Sequence, residues 1–227
     1  MKKVAVLTGA GISAESGLKT FRDAHGLWEG HEVMEVASPQ GWEANRELVL
    51  DFYNQRRKQL LSVSPNAAHK ALVKLEEKFD VTIITQNVDD LHERAGSTNI
   101  IHLHGELLKA RSSVDENDIQ EWKKDICVGD LCVKKSQLRP HVVWFGEAVP
   151  LLEDAAMVVM QADYVLIIGT SMQVYPAAGL MDYAPQEAQL FFIDPRPTIA
   201  SSTNLKVIAE NATTGVPTVV DQLLSYK

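Results

Sequence analysis

The run Val4-Ala5-Val6-Leu7 passes directly into Gly9-Ala10-Gly11-Ile12-Ser13-Ala14-Glu15-Ser16-Gly17. Four apolar residues without polar alternation read as a strand buried on both faces. The glycines behind them read as a tight turn that opens a helix. Such a turn lets backbone N–H groups approach a diphosphate with no Cβ in the way, and the helix N-terminus adds positive partial charge.

Further β-type runs recur at residues 81–85, 100–103, 164–168, 190–193 and 206–208, again mostly without polar alternation. Helical patterns separate them. Ser64 and Pro65 read as the N-cap and first turn of a helix over 66–78, and a helix over 90–95 stops at Gly96. The alternation predicts an α/β fold with a doubly wound, Rossmann-like parallel sheet. Two stretches break it. Residues 26–62 carry a long helix, roughly 42–61, and no strand; residues 109–142 are polar and irregular. Both read as insertions forming a smaller lobe. The expected organisation is one catalytic domain over 1–227, with core segments near 1–25, 63–108 and 143–227 and a lobe from about 26–62 and 109–142.

A chain of 227 residues suits one such domain. No apolar stretch reaches the ~20 residues of a membrane span, and the N-terminal run is too short for a secretory signal, so cytoplasmic residence is expected. A net charge of −8 argues against a nucleic-acid surface but would attract Lys-rich protein segments. The sequence leaves oligomeric state open and is consistent with a monomer.

The turn departs from the dehydrogenase fingerprint. After Gly9-x-Gly11 the next glycine is Gly17, and the next clear strand begins only at Val81. The intervening loop holds Thr20-Phe21-Arg22-Asp23, which suits either a flap over a flat ring and a phosphate or a loop anchored by Phe21. Polar residues end the later strands: Gln86, Asn87 and Asp89 after 81–85, Gly169-Thr170-Ser171 after 164–168, and Asp194 after 190–193. Ligands bind at such carboxyl ends, although Asn87 or Asp89 can equally cap a helix. His104 ends the run 100–103 and precedes Gly105, which suits a proton acceptor; the competing reading is a structural histidine. His69, His92 and His102 read as structural, and His141 is open.

Six blocks in order resemble the sirtuins, a family of NAD-dependent protein-lysine deacylases. They are Gly9-Ala10-Gly11-Ile12-Ser13, Thr20-Phe21-Arg22, Thr85-Gln86-Asn87-Val88-Asp89, Leu103-His104-Gly105, Arg139-Pro140-His141-Val142-Val143-Trp144-Phe145-Gly146-Glu147 and Gly169-Thr170-Ser171. The resemblance implies roles. Gly9, Ala10, Gly11, Ile12, Ser13 and Arg22 would serve the diphosphate, with Phe21 shielding the reacting ribose. Ile12, Asn87 and Asp89 would line a nicotinamide pocket, and Gln86 would meet the ribose. Gly169, Thr170, Ser171, Asp194 and Ala212 would contact the adenosine half. His104 would be the general base, and Asn87 the second catalytic residue. Val143, Phe145, Gly146 and Glu147 would face Met172, Gln173 and Val174 across an acyl-lysine segment added as a strand. NAD would be a consumed co-substrate, preferred over NADP because Asp194 would repel a 2′-phosphate. The products would be free lysine, nicotinamide and O-acyl-ADP-ribose.

Tyr53 and Arg56 stand at i and i+3 on one helix face and together offer a hydroxyl and a guanidinium to a carboxylate. The pair resembles that of the sirtuin branch removing succinyl and malonyl groups; Arg57 and Lys58 read as a solvated face. Most sirtuins carry four cysteines in two close pairs, a zinc pattern. This chain has only Cys127 and Cys132, so no structural zinc is expected, and the lobe should hold through apolar packing by Ile119, Trp122, Ile126 and Leu131. Two rival functions use the same pocket: NAD-dependent protein ADP-ribosylation and non-catalytic NAD sensing. His104 together with the peptide-flanking segments favours deacylation over ADP-ribosylation, and an intact His104 and Asn87 argue against a non-catalytic sensor.

Overall fold

The computed structural model describes residues 1–19, 27–172 and 174–226. In chain order, β1 (Lys3–Thr8) leads into α1 (Ala10–Ala14), β2 (Leu27–Trp28), β3 (His31–Glu32), α2 (Val33–Val36), α3 (Pro39–Ala44) and α4 (Arg46–Ser62). Then come α5 (Ala67–Leu75), β4 (Asp80–Thr85), α6 (Leu91–Ala95), β5 (Ile100–His102), β6 (Gly105–Ser112), β7 (Ile119–Glu121) and β8 (Leu138–Val142). The chain closes with α7 (Leu152–Met160), β9 (Tyr164–Ile168), a 3-10 helix (Ala177–Tyr183), β10 (Gln189–Ile193), β11 (Leu205–Ile208) and α8 (Ala212–Ser225).

β1, β4, β5, β9, β10 and β11 form one parallel sheet in the order β11-β10-β9-β1-β4-β5. It is the expected doubly wound sheet, and all six predicted strands take part. The strand order reverses between β1 and β9, which opens a crevice at their carboxyl ends. One face of the sheet packs Val4, Val6, Ile83, Leu166 and Phe191 against α5 and α8; the other packs Ala5, Leu7, Val165, Ile167 and Phe192 against α7 and the 3-10 helix. No helix among the described residues is long and apolar enough to cross a membrane.

The smaller lobe departs from its expected form in four ways. The predicted helix over 42–61 is broken at Asn45, whose side chain accepts from the Leu48 N–H and caps α4 afresh. A two-residue hairpin, β2–β3, stands where no strand was expected. The stretch read as irregular contains an antiparallel sheet, β7-β6-β8, and β6 already begins at Gly105. Its short, half-polar strands lack the apolar runs by which strands announce themselves. Ile126 and Trp122 pack inside the lobe, but Ile119 and Leu131 are exposed. A smaller correction concerns α5. Its cap is Asn66, with His69 completing a capping box, rather than Ser64.

Polar contacts do much of the work assigned to apolar packing. Asn54 brackets Ile126, its Nδ2 donating to the Ile126 carbonyl (3.0 Å) and its Oδ1 accepting from the Ile126 N–H (2.9 Å). Arg57, expected on a solvated face, is 1% exposed; it donates to the Leu107 carbonyl and to Asn54 Oδ1. The i, i+3 spacing of Asn54 and Arg57 makes this pair, and the pair makes burial of the guanidinium tolerable. Lys58 is exposed and meets Asp125.

Candidate active site

A cleft of about 500 Å³ runs between the carboxyl ends of the parallel sheet and the smaller lobe, past the reversal point. Its floor depends on a close backbone approach. The Gly9 N–H donates to the Ile168 carbonyl and the Gly11 N–H to the Gly169 carbonyl. A Cβ on Gly11 would lie 2.6 Å from Gly169 Cα, so the turns after β1 and β9 meet only as glycines. The N-termini of α1 and α8 open on the same space, which Ala10, Asn211 and Ala212 line. The first turns of α1 and α8, approached over glycines that carry no Cβ, make a cradle for a diphosphate. Asp194 and Gln86 line it as well, offering acceptors and donors to sugar hydroxyls. These residues fit a dinucleotide.

Ser13, Asn87 and Asp89 form one buried network. The Ser13 hydroxyl donates to Asp89 Oδ2 (2.9 Å), and Asn87 Nδ2 lies 3.0 Å from the Gly9 carbonyl and 3.2 Å from Ser13 Oγ. Asp89 Oδ1 accepts from the Leu91 N–H, so capping and cleft-lining coexist. Burial pushes the Asp89 carboxyl up to about 6, against the hydrogen bonds from Ser13 and Leu91.

His104 lines the same cleft. Gly105, at φ +79°, turns the chain away after it, where a Cβ would strike the His141 carbonyl at 2.2 Å. His104 Nδ1 is 3.0 Å from the Gln86 carbonyl, a contact that requires the proton on Nδ1 and leaves Nε2 as the basic nitrogen. Burial lowers its pKa and the Gln86 carbonyl raises it, with burial winning. The ring is therefore neutral, and able to take a proton, at neutral pH.

Tyr53 and Arg56 line the cleft through α4, as their spacing requires. The Tyr53 hydroxyl accepts from Trp144 Nε1 (3.1 Å), which leaves its own proton to donate. Arg56 lies over the Phe52 ring at 3.3 Å and donates to the Phe52 carbonyl. Its Nε is buried with no hydrogen-bond partner among the described residues. Burial lowers the guanidinium pKa to about 10, so it stays charged.

Val143, Phe145, Gly146 and Glu147 line one wall, and Val174 another. The Glu147 carboxylate is occupied: it accepts from Arg139 (2.7 Å), Arg111 (3.3 Å) and the Trp144 N–H (2.8 Å). Its position organises the segment instead of reaching across it. Two residues do not join the lining. The Ile12 side chain is fully buried in the core beneath, and Met172 packs, partly buried, against the core on the opposite face of the sheet. Phe21, Arg22 and Gln173 lie outside the described residues. Trp144 and Arg139, each inside a motif read as a block, emerge as supports: the Arg139 guanidinium sits 3.3 Å over the Trp144 ring. Glu29 enters the cleft with no signal in the sequence at all.

Of the remaining histidines, His92 contacts Thr8 Oγ1, His69 caps α5, and His102 pairs with Glu93 at 2.6 Å. Cys127 is exposed and Cys132 is buried against Ser112 Oγ. Among the described residues, the one cluster of three potential metal ligands is Glu93, His102 and Glu106, away from both thiols. The cysteines and their neighbours do not fit a tetrahedral zinc set.

Residues 9–176 match the Sir2 family. The chain belongs to that family. An NAD-dependent protein deacylase of Helicobacter pylori (strain ATCC 700392 / 26695) is 58% identical over 225 residues, 99% of this chain and 98% of that protein. A solved Sir2 homolog–NAD complex superposes with a TM-score of 0.88 at 38% identity, covering 98% of this chain and 90% of the other. A Sir2 bound to acetylated peptide gives 0.81 at 27% identity, covering 99% and 94%. The glycine cradle, the Asn87–Asp89 network and His104 of this Sir2 protein thus all belong to one cleft.

Proposed function

We propose that the protein removes acyl groups from protein lysines, consuming NAD and yielding nicotinamide and O-acyl-ADP-ribose, and that its acyl pocket takes succinyl and malonyl as well as acetyl groups. One observation carries the activity: a neutral imidazole, fixed in tautomer by Gln86, stands on the wall of the cleft whose floor is a diphosphate cradle. NAD supplies an activated anomeric carbon with nicotinamide as the leaving group. Gly9, Gly11 and Gly169 hold the diphosphate, with Ala10, Ser13, Gln86, Thr170, Ser171, Asp194 and Ala212 around it. Asn87 and Asp89 bound the nicotinamide end. His104 Nε2 accepts a proton from a ribose hydroxyl. The segment 143–147 and Val174 hold the lysine-bearing chain and exclude water.

Arg56 and Tyr53 support the choice of acyl group. A desolvated guanidinium with an unmet donor, beside a phenol with a proton to give, is matched by a carboxylate and by nothing in an acetyl group. Incubation with NAD and matched succinyl- and acetyl-lysine peptides, followed by mass spectrometry, tests both parts. O-Acyl-ADP-ribose is expected, with desuccinylation at least equal to deacetylation. ADP-ribosylated protein, or no product, would refute the activity. Undiminished desuccinylation by the Arg56→Met variant would refute the acyl assignment.

A further inference from the structure

The acyl pocket contains a carboxylate of the protein's own. Glu29 lines the cleft with Oε1 3.9 Å from Arg56 Nη2, and its Oε2 is 2.8 Å from Lys19 Nζ. Its backbone is unusual. Glu29 and Gly30 are the two turn residues between β2 and β3, and both have positive φ, +54° and +83°. A two-residue turn with both residues left-handed favours Asn-Gly or Asp-Gly, and a glutamate at its first position is strained. Strain kept at a ligand site points to use of the side chain.

The use follows from Arg56. A guanidinium that is 13% exposed needs an anion nearby, and among the described residues Glu29 acts on it most strongly, ahead of Asp51. A neutral acyl group brings no charge, so the Arg56–Glu29 pair persists beside it. An anionic acyl group brings its own carboxylate, and two carboxylates on one guanidinium repel. Lys19 offers Glu29 a second partner, already in contact. We propose that Glu29 is a specificity-determining residue: a resident counter-ion that holds Arg56 for neutral acyl groups and yields it to anionic ones by moving fully onto Lys19. One pocket then serves both substrate classes, at the expense of affinity for the anionic class. The inference rests on the reading of Arg56 as the acyl-carboxylate anchor.

The test compares wild type with Glu29→Gln, Glu29→Asn and Arg56→Met on succinyl- and acetyl-lysine peptides of one sequence, with melting curves for each. Both Glu29 variants should lower KM for the succinyl peptide about three- to tenfold, the size of a partly exposed charge pair, and should not lower it for the acetyl peptide. The gain should shrink in high salt. Asn suits the turn, so Glu29→Asn should melt no lower than wild type; a role confined to the turn would raise its melting point and leave the KM ratio at the wild-type value. A succinyl-to-acetyl KM ratio within twofold of wild type in both Glu29 variants, with Arg56→Met losing desuccinylation, overturns the role of Glu29 and leaves the anchor standing. Full desuccinylation by Arg56→Met overturns the anchor and this inference together.

Discussion

His104 Nδ1 lies 3.0 Å from the carbonyl oxygen of Gln86, a residue that itself lines the cofactor end of the cleft. The bond ties the orientation of the base to the strand end that meets the ribose. Because burial lowers the His104 pKa below its ordinary 6.5, the neutral ring dominates at pH 7. The pH profile of kcat/KM should be flat above about pH 6.5 and fall on the acid side. His104→Ala should reduce kcat by about 10²–10⁴-fold with little change in melting temperature. An acid limb centred well above pH 7 would contradict this assignment.

Glu147 joins Arg139, Arg111 and the Trp144 backbone, and so fixes residues 144–146. Glu147→Gln would leave the Arg139 guanidinium, stacked on Trp144, without its anion. The side chain is one-fifth exposed, so solvent shares the loss, and a cost of about 1–3 kcal/mol is expected. The functional effect should fall on KM for the acyl peptide more than on kcat, because the glutamate places the peptide wall without touching the reacting atoms. Equal losses in kcat and kcat/KM would show a direct role in the chemical step.

The large sheet was legible because most of its strands are near-continuous apolar runs bounded by polar or glycine residues, as burial on both faces demands. The small lobe was not, since β6, β7 and β8 mix charged and polar residues with apolar ones and are held by side chains far away in sequence, such as Arg57 on the Leu107 carbonyl. The same contrast divides the cleft. Gly9, Asn87, His104 and Asp194 stand at strand ends, where topology alone puts them in one crevice. Glu29 reaches Arg56 only through a two-residue hairpin that no apolar pattern marks, and Glu147, read as a wall residue, is claimed by two arginines that only folding brings together.

Two buried histidines make the fold sensitive to acid. His69 and His92 lie with ring centroids 4.9 Å apart, and each has one ring nitrogen buried without a partner among the described residues. Burial lowers His69 to about 4 and His92 well below its ordinary value, with the charges of His69 and His102 adding to the effect on His92. The unfolded chain binds these protons near pH 6.5 and the folded chain does not. Their stabilisation is therefore complete above about pH 6.5 and is lost as pH falls toward 4. His102 acts in the opposite sense: burial opposes its charged form, but the Glu93 contact raises its pKa overall. In denaturant unfolding His69 and His92 together should contribute a loss of about 1–3 kcal/mol between pH 7 and 5.5. His69→Gln should flatten the slope; an unchanged slope would remove His69 from the account.

Asn54 ties α4 to the segment between β7 and β8 by hydrogen bonds. Its amide meets both backbone groups of Ile126, a residue 1% exposed, and also receives Arg57 Nη1 at 2.7 Å. Asn54→Ala would leave a buried N–H, a buried carbonyl and part of a buried guanidinium unsatisfied, at a cost of about 2–4 kcal/mol. For a chain of this length that lowers the melting temperature by roughly 5–15 °C. Cys127 and Cys132, one exposed and one against Ser112, offer no second tether of comparable strength. Treatment with EDTA should therefore leave the melting temperature of the wild-type protein where it was, and elemental analysis should find well under one zinc per chain. A melting temperature that falls with EDTA yet is indifferent to Asn54→Ala would reverse the assignment and place the tether on a metal.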